Sequence, residues 1–482
     1  MRAISGGPRT LLFAIVAIAA GACSAYDFFG YEDNAPLHVV ERPDDYPSAR
    51  FGAEIAPTST RGEDRMDLMA VSAGEGTPTV FYRLASGGNL SDVNDPWDEH
   101  EANELQAEKD GSGASLVGLP LWGPDLVSGC VGIGEAGQTR WVRIYCLETQ
   151  ATADKLRSAE IPVSSEEMVE RFGHQLAAIR PAAGSPAWLL AAASEYFAVV
   201  YSSATQRSEK LVPVFDGVEN PGKLVELAAG RLADGRIFVA ATTADESVEP
   251  ALGRVHLFVQ QAPGSTGFEQ RACLNRTGEP GFGGVMASGD LDGDGADELL
   301  VSSGLVDGRS QAVDVWTVSQ LINAAPICHS DAPPPLATLE PGDGPLDIEC
   351  DEGCDFGLAL AVGEIATDDD GPEVIVGAPG ARVDGKGQAG AVYLYRGAGL
   401  LEPGAEVEVA GRVAHSSPTS HLRFGGGLAV APMAGRNELL VGETGKGRIV
   451  ITYCTGVGED IEQGADVTKD ASGTVRSTRC RP

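Results

Sequence analysis

The chain has 482 residues and a formal net charge of −34, because 69 acidic residues outnumber 35 basic ones. Repulsion of this size disfavours nucleic acid and anionic lipid as partners, and it favours solubility and cation binding. Helix periodicity is nearly absent, and short apolar runs recur between turns rich in the chain's 62 glycines. This pattern predicts one large all-β architecture, although the length alone would allow about two to four domains.

The N-terminal residues predict an export signal. A basic start precedes an apolar run at 11–20, which is too short to span a bilayer. Cys23 follows small residues and resembles the acylated cysteine of a bacterial lipobox. We therefore expect a signal peptide at 1–22 and a lipidated tether at 23–47. The protein would then lie at the outer membrane or cell surface, with the lipid anchor as its only membrane contact. Plain cleavage at an Ala-x-Ala site, giving a periplasmic or secreted protein, is the alternative.

Three segments in the C-terminal half are similar to one another. Each begins with Phe-Gly, at Phe282, Phe356 and Phe424, and continues with a small-residue strand, an acidic or trimmed loop, a Val/Leu strand and an aromatic-rich strand. Weaker copies lie upstream, so that units begin near residues 51, 114, 172, 224, 282, 356 and 424. Self-similarity at this spacing predicts an architecture built from like-shaped sheets.

The repeated unit resembles the FG-GAP repeat of integrin α-chain heads and of many bacterial surface proteins. The residues that carry the resemblance are Phe356-Gly357 with Gly377-Ala378-Pro379, and the acidic loop at 290–298. The resemblance implies an all-β fold, a seven-bladed β-propeller of four-stranded antiparallel blades at 48–454, followed by a polar tail at 455–482. It also implies bound calcium and a role in recognition.

Physical reasoning favours the same closed ring. A small twisted sheet cannot bury both faces alone, whereas sheets stacked face to face around an axis bury a continuous core. The Phe ring would fill the gap between neighbouring blades, and the following glycine would allow close backbone approach. The segment 36–42 could add the outer strand of the last blade and close the ring. A linear stack or a pair of β-sandwiches is the alternative.

The loop at 290–298 predicts a calcium site. Its carboxylates stand at alternate positions, and Gly295 permits the sharp turn that such a loop needs. Carboxylates so close together repel one another unless a hard cation neutralises them, and Ca²⁺ takes about 6–8 oxygen ligands. The expected ligands are the side chains of Asp290, Asp292, Asp294 and Glu298 and the carbonyl of Ala296. A solvated acidic turn without metal is the alternative.

The matching loop of the next unit predicts a weaker second calcium site. Its spacing from Gly371 to Glu373 is one residue shorter than the corresponding spacing in the first loop, so its glutamate needs a different turn. The candidate ligands are Glu364, Asp368, Asp370 and Glu373. The equivalent places in the other units have lost most of their carboxylates, and we interpret them as ordinary β-turns.

Eight cysteines besides Cys23 indicate disulfides, because an even number in an exported chain is typical of paired thiols. One pair ends the two arms of a predicted hairpin, and another flanks a tight acidic turn. Zinc is the competing use of the Cys-x-x-x-Cys pair, but no nearby Cys/His pair completes four ligands. The expected disulfides are Cys130–Cys146, Cys273–Cys328, Cys350–Cys354 and Cys454–Cys480.

The sequence shows no catalytic constellation. The seven histidines are scattered, and neither an HExxH pattern nor a GxSxG elbow is present. We therefore expect a non-catalytic, calcium-stabilised propeller of the cell envelope that binds a protein or glycan partner. A propeller-based polysaccharide lyase or hydrolase is one alternative, and it would gather His, Arg, Tyr and carboxylate side chains at the mouth of the central channel. A structural subunit of an envelope complex is another.

Overall fold

The computed structural model describes residues 37–452 with internal gaps. The gaps are 43–47, 49, 59–67, 75–76, 84–114, 123–126, 135–141, 149–154, 162–171, 180–188, 204–207, 216–217, 220–221, 246–251, 304–311, 325–332, 342–347, 351–352, 366–370, 402–406, 408, 416–417 and 434–435. The predicted signal peptide, the lipidation at Cys23 and the tail at 455–482 lie outside the described residues, as does the Cys454–Cys480 pair.

Six four-stranded antiparallel sheets and one three-stranded sheet make up most of the described chain. We call them blades 1 to 7 and number the strands in chain order, beginning with β1 at Leu37–Glu41. Blade 1 comprises β2 (Glu54–Thr58), β3 (Leu68–Ser72) and β4 (Val80–Arg83). Blade 2 comprises β5 (Ser115–Trp122), β6 (Val127–Gly134), β7 (Val142–Glu148) and β8 (Lys155–Glu160). Blade 3 comprises β9 (Leu176–Ile179), β10 (Leu189–Ala193), β11 (Ala198–Ser202) and β12 (Ser208–Leu211).

The remaining blades follow after a two-stranded sheet of β13 (Val214–Phe215) and β14 (Val218–Glu219). Blade 4 comprises β15 (Lys223–Arg231), β16 (Ile237–Asp245), β17 (Leu252–Gln260) and β18 (Phe268–Pro280). Blade 5 comprises β19 (Met286–Gly289), β20 (Glu298–Ser303), β21 (Ala312–Thr317) and β22 (Ala337–Leu339). A second small sheet pairs β23 (Ile348–Glu349) with β26 (Arg382–Val383). Blade 6 comprises β24 (Ala359–Gly363), β25 (Glu373–Ala378), β27 (Ala391–Arg396) and β28 (Gly411–Val413). Blade 7 comprises β29 (Phe424–Met433), β30 (Arg436–Glu443) and β31 (Arg448–Thr452) together with β1.

The blades form a closed ring. The first strands of successive blades contact one another in sequence, and β2 of blade 1 contacts β29 of blade 7, so these strands are the innermost. Buried apolar clusters of the described residues lie between the blades, one for each pair of neighbours. The chain is therefore a seven-bladed β-propeller, as the repeat pattern predicted, and its core is distributed among the seven interfaces between blades.

The last blade takes its outer strand from the N-terminal side of the chain. Strand β1 pairs antiparallel with β31, from Leu37 opposite Thr452 to Glu41 opposite Arg448. Val40 is buried in the cluster that joins blade 7 to blade 1. The prediction that segment 36–42 closes the ring is thus confirmed for residues 37–41, so this part of the predicted tether belongs to the propeller.

The Phe-Gly pairs fill the gaps between blades. Every Phe ring of these pairs is at most 2% exposed and belongs to the cluster between its own blade and the preceding one, at Phe51, Phe172, Phe282, Phe356 and Phe424. The glycines that follow them have φ between +76° and +90°. At the closing seam, a Cβ on Gly52 would lie 3.1 Å from the carbonyl oxygen of Arg448, so the missing side chain permits this approach.

The connections between strands fall on two faces, because neighbouring strands within a blade are antiparallel. The face with the connections between first and second strands includes residues 290–297, and we call it the loop face. The other face holds the connections between second and third strands and those between consecutive blades. It includes all five Phe-Gly pairs, and we call it the Phe-Gly face.

Two short helices and the disulfides complete the described structure. The helices span Val318–Ala324 and Gly397–Leu400, and no helix in the described part of the chain is long and apolar enough to cross a membrane. Cys130 is bonded to Cys146, its direct neighbour across β6 and β7, and Cys350 is bonded to Cys354. Cys273 also lies in a disulfide. Its expected partner, Cys328, lies outside the described residues.

Candidate metal centre

The acidic loop lies between the first and second strands of blade 5. Strand β19 ends at Gly289, which faces Glu298 at the start of β20, so residues 290–297 form the turn of a hairpin. Within this turn the carboxylates of Asp290, Asp292 and Asp294 converge, with one oxygen from each within 4.8 Å of the others. Gly295 has φ +86°, which bends the chain back toward these oxygens.

The loop holds its carboxylates with its own backbone. The N–H of Asp294 donates to Oδ1 of Asp292 at 3.1 Å, the N–H of Gly295 to Oδ2 of Asp290 at 2.9 Å, and the N–H of Ala296 to Oδ1 of Asp294 at 2.7 Å. Oδ1 of Asp290 is buried and has no hydrogen-bond partner among the described residues. A buried carboxylate oxygen left unpaired costs free energy. The donor set and this unpaired oxygen both fit a hard cation with oxygen ligands.

Glu298 has a different position from the three aspartates. Its side chain is only 2% exposed, and its Oε2 accepts a hydrogen bond from the N–H of Leu291 at 3.0 Å. Burial raises the pKa of Glu298 to about 7, assisted by the charges of the three aspartates and opposed by the Leu291 N–H. The glutamate therefore fastens the far end of the loop to its beginning, and it is not one of the three converging carboxylates.

The same glutamate recurs in the next two blades. Glu373 stands opposite Gly363 and accepts from the N–H of Ile365 at 2.8 Å, and Glu438 stands opposite Ala431. Both side chains are at most 3% exposed. A buried glutamate within the first three residues of the second strand is thus a repeated element of the fold. The alignment of the three units contained this signal, because each reads Glu followed by three apolar residues.

The acidic loop also joins the blades on either side. Asp297 and Arg231, at the end of β15 in blade 4, exchange two hydrogen bonds: the Arg231 N–H donates to Oδ2 of Asp297 at 2.6 Å, and the Asp297 N–H donates to the Arg231 carbonyl at 2.7 Å. On the other side, Leu291 is fully buried in the cluster shared with blade 6. Sequence reasoning did not single out Asp297, because its partner is 66 residues away. Any ion held in the loop would sit in a segment anchored to three blades.

The weaker second site is only partly within the described residues. Glu373 fastens its own loop through Ile365, and Glu364 is exposed, with its carbonyl accepting from Nδ2 of Asn437 at 2.6 Å. Asp368 and Asp370 lie outside the described residues. The described part of this loop therefore shows the repeated glutamate and a link to blade 7.

Histidines in the described part of the chain contact groups within the fold. Nε2 of His174 lies 3.0 Å from the Leu224 carbonyl, and buried His256 lies 2.9 Å from Oγ1 of Thr243. Burial, together with the charge of Arg254, lowers the pKa of His256 to about 3, so this ring is neutral. Nε2 of His415 lies 3.6 Å from Oε1 of Glu443, whose other oxygen accepts from Nε of Arg448. In this last group Glu443 is buried, whereas His415 and Arg448 are partly exposed, and the group lies at the seam between blades 6 and 7 on the Phe-Gly face.

No protein-family model matches the chain, and no curated protein sequence matches it. Solved structures do match. The Dos1 propeller is 10% identical, with 89% of this chain and 97% of that chain covered and a TM-score of 0.43. Drosophila Semaphorin 1b, extracellular domains 1–2, is 11% identical, with 88% and 87% covered and a TM-score of 0.43. A chain of a humanized mutant of the Chaetomium thermophilum Polycomb Repressive Complex 2 is 11% identical, with 88% and 97% covered and a TM-score of 0.47. At these identities the similarity concerns the fold alone.

Proposed function

We propose that the chain is a non-catalytic, calcium-stabilised propeller of the cell envelope that binds a protein or glycan partner. The observation that carries the calcium assignment is the convergence of Asp290, Asp292 and Asp294 around a buried, unpaired oxygen of Asp290. The proposed ligands are these three side chains and the Ala296 carbonyl, and Glu298 fastens the loop through Leu291. The export signal predicted from the sequence around Cys23 supports the envelope part of the proposal, and the resemblance to FG-GAP repeats supports the recognition part.

Calcium in this loop would act as a structural staple. With a dissociation constant of about 0.1 mM and about 1 mM free calcium, mass action stabilises the folded state by about 1.4 kcal/mol. Because Asp297 and Leu291 link the loop to blades 4 and 6, this stabilisation is expected to reach both neighbouring interfaces. A loop whose carboxylates are already held by backbone amides has little room for a substrate.

The Phe-Gly face is the proposed recognition surface. The large apolar side chains that are most exposed in the described structure all belong to it: Tyr196, Leu358 and Val214, at 40%, 37% and 36%. Tyr196 lies in the connection between the second and third strands of blade 3, and the other two lie in connections between consecutive blades. Connecting segments positioned by a rigid scaffold carry binding residues more often than the strands that they join. The calcium loop, on the opposite face, would leave this surface free.

The calcium assignment is tested with Asp292→Ala combined with Asp294→Ala. We expect wild type to bind calcium in the loop by titration calorimetry and to gain thermal stability from it, and we expect the double variant to lose one ion and that gain. The matched control is Asp234→Ala, because Asp234 lies in the equivalent turn of blade 4 and its carboxylate pairs with Arg236 at 2.7 Å. An unchanged calcium stoichiometry in the double variant would show that the loop is empty.

The recognition assignment is tested by affinity capture of the intact protein from its own cell envelope, with and without a chelator. We expect a protein or glycan partner to be recovered in calcium and in smaller amounts after chelation. A panel of glycans assayed for cleavage provides the opposing test. Lyase or hydrolase activity that survives in the calcium-loop variant would end the non-catalytic proposal.

A further inference from the structure

Two disulfides have both cysteines among the described residues, Cys130–Cys146 and Cys350–Cys354, and their surroundings differ. Cys130 and Cys146 are 0% and 8% exposed, are separated by 16 residues and sit inside the hydrogen-bonded ladder of blade 2. Cys350 is partly exposed, is separated from Cys354 by only 4 residues and lies outside the blades, on the Phe-Gly face before blade 6. A ring this small restricts the unfolded chain least, so its effect is local. Partly exposed disulfides are also the ones that thiols reach.

The Cys350–Cys354 ring holds a small attachment to blade 6. Strand β23, which precedes Cys350, pairs with β26 through only two residue pairs, Ile348 with Val383 and Glu349 with Arg382. Nη1 of Arg382 donates to Oε2 of Glu349 at 2.9 Å. On the other side of the ring, the N–H of Gly380 donates to the Cys354 carbonyl at 2.9 Å. The disulfide thus closes a ring within a short segment, from Ile348 to Cys354, that is attached to the connection between β25 and β27.

A cluster of polar residues with positive φ lies next to this segment, and we call it the polar platform. All the non-glycine residues with positive φ in the described structure fall here: Asp355, Asp384, Gln388, His421 and Arg423, at +50° to +63°. Hydrogen bonds connect four of them, Asp355, Gln388, His421 and Arg423. The N–H of Arg423 donates to the Gln388 carbonyl at 3.0 Å, Nδ1 of His421 lies 2.8 Å from Oε1 of Gln388, and Nη2 of Arg423 donates to Oδ2 of Asp355 at 3.3 Å.

This platform needs support from its surroundings. Side chains with a Cβ disfavour positive φ, and a cluster of such residues persists only when neighbouring contacts over-determine it. Asp355 follows Cys354 directly, so the disulfide fixes one end of the cluster. The other end is fixed by blade 7, which begins at Phe424.

We propose that the Cys350–Cys354 disulfide is a thiol-addressable clamp whose reduction releases the polar platform while the propeller ring and Cys130–Cys146 stay intact. The inference rests on the proposed function in one respect: because the platform lies on the proposed recognition face, the clamp would regulate partner binding there.

The reducing partner is a dithiol, either a small molecule or an exported dithiol oxidoreductase. Its thiolate attacks Sγ of Cys350, which is the more exposed of the two cysteines, and forms a mixed disulfide while Cys354 leaves as a thiolate. The second thiol of the reductant then attacks the mixed disulfide, releasing Cys350 and leaving the reductant as a disulfide. Two electrons and two protons pass to the protein, and two thiols result.

The test is a titration of the wild-type protein with a small dithiol, followed by alkylation and mass spectrometry. We expect Cys350 and Cys354 to be alkylated at reductant concentrations about tenfold or more below those needed for Cys130 and Cys146, which serve as the matched internal control. At the selective concentration, hydrogen exchange of residues 380–390 and 418–425 should accelerate about tenfold or more, whereas exchange in blades 1 to 4 should not change.

The double variant Cys350→Ser with Cys354→Ser should show the accelerated exchange without reductant. Simultaneous reduction of both disulfides, or unchanged exchange at 380–390 after selective reduction, would overturn the clamp. Equal partner capture by the oxidised and reduced forms would overturn its regulatory role. If the clamp opens as described but neither form captures a partner, the proposed recognition function falls and the clamp stands.

Discussion

Two glutamates on the innermost strands of the ring have raised pKa values. Glu54 lies on the innermost strand of blade 1, and Glu226 lies on the innermost strand of blade 4. Burial raises the pKa of Glu226 to about 8, and the charge of Glu54 adds to this against the Leu227 N–H, which donates to Oε1 of Glu226 at 3.0 Å. Burial likewise raises the pKa of Glu54 to about 7. These raised values link stability to pH.

We predict that the folded state becomes less stable as the pH rises toward 8. The folded-state pKa values exceed the ordinary glutamate value of 4.5, so between pH 4.5 and 8 the folded chain binds more protons than the unfolded chain. The stabilising effect is complete below the ordinary value and disappears as the pH passes through the raised values. Glu226→Gln removes one of the titrating carboxyl groups and should therefore make the stability depend less steeply on pH.

The measurement is urea unfolding at constant saturating calcium across this pH range. One pKa unit corresponds to about 1.4 kcal/mol. Because Glu226 is partly exposed, we expect the free energy of unfolding of the variant to exceed that of wild type by only about 2 kcal/mol at the alkaline end of the range. At the acidic end of the range, the variant and wild type should have the same free energy of unfolding. The control is Glu269→Gln, because Glu269 is 57% exposed and pairs with surface Arg271. Parallel curves for Glu226→Gln and wild type would contradict the prediction.

The residues of the candidate site could be predicted because they are close in sequence. Asp290, Asp292 and Asp294 occupy alternate positions of one short turn, and the turn brings them together. Pairs such as Glu54 with Glu226, or Asp297 with Arg231, join residues from different blades. Only the closed ring sets those distances, so no local pattern in the sequence contains them.

Successive blades make close contacts in which a glycine in the second strand of one blade lies against a backbone carbonyl of the next blade. A Cβ on Gly442, in β30 of blade 7, would overlap the carbonyl oxygen of Gly52 in blade 1. The same relation holds between Gly377 in blade 6 and the carbonyl of Gly425 in blade 7. These contacts allow the Phe-Gly turn of one blade to lie directly on the second strand of the blade before it.

We predict that Gly442→Ala destabilises the fold by about 1–3 kcal/mol, because the added methyl group must displace backbone rather than a flexible side chain. The control is Gly399→Ala, since Gly399 lies on an exposed turn of helix with nothing within 4 Å of its Cβ position. Thermal and urea unfolding of the two variants provide the comparison. Equal stabilities would show that the seam between blades 7 and 1 can relax around a methyl group.

The blades could be predicted from the sequence because most repeated units begin with a recognisable Phe-Gly pair. The seven units beginning near 51, 114, 172, 224, 282, 356 and 424 match the seven blades, although blades 2 and 4 lack a Phe-Gly pair. The sequence was less informative at outer strands. The outer strand of blade 5, Ala337–Leu339, has only three residues and lies in a proline-rich, acidic stretch that gives no strand pattern. Pairing with β21 defines it.

At the scale of the whole molecule, one short strand completes the last blade and adds to the contact between β2 and β29 that closes the ring. Strand β1 supplies five residue pairs to β31 and places Val40 in the cluster between blades 7 and 1. Without it, β31 would present an unpaired edge, which is a template for association with another chain. The strand also connects the closed ring to the segment that carries Cys23. Mechanical load on the proposed lipid anchor would therefore be transmitted first to the seam of the ring.

We predict that a chain beginning at residue 42 is less stable than a chain beginning at residue 36 by about 2–5 kcal/mol. The loss combines the burial of one valine side chain with the ladder hydrogen bonds of β1. Thermal unfolding measures the loss, and light scattering after gel filtration should show self-association of the shorter chain only. A synthetic peptide spanning 36–42 should restore the monomer and part of the melting temperature, because it can pair with β31. If both chains melt alike and stay monomeric, β1 does not hold the ring closed, and the blades must be held together by their inner contacts alone.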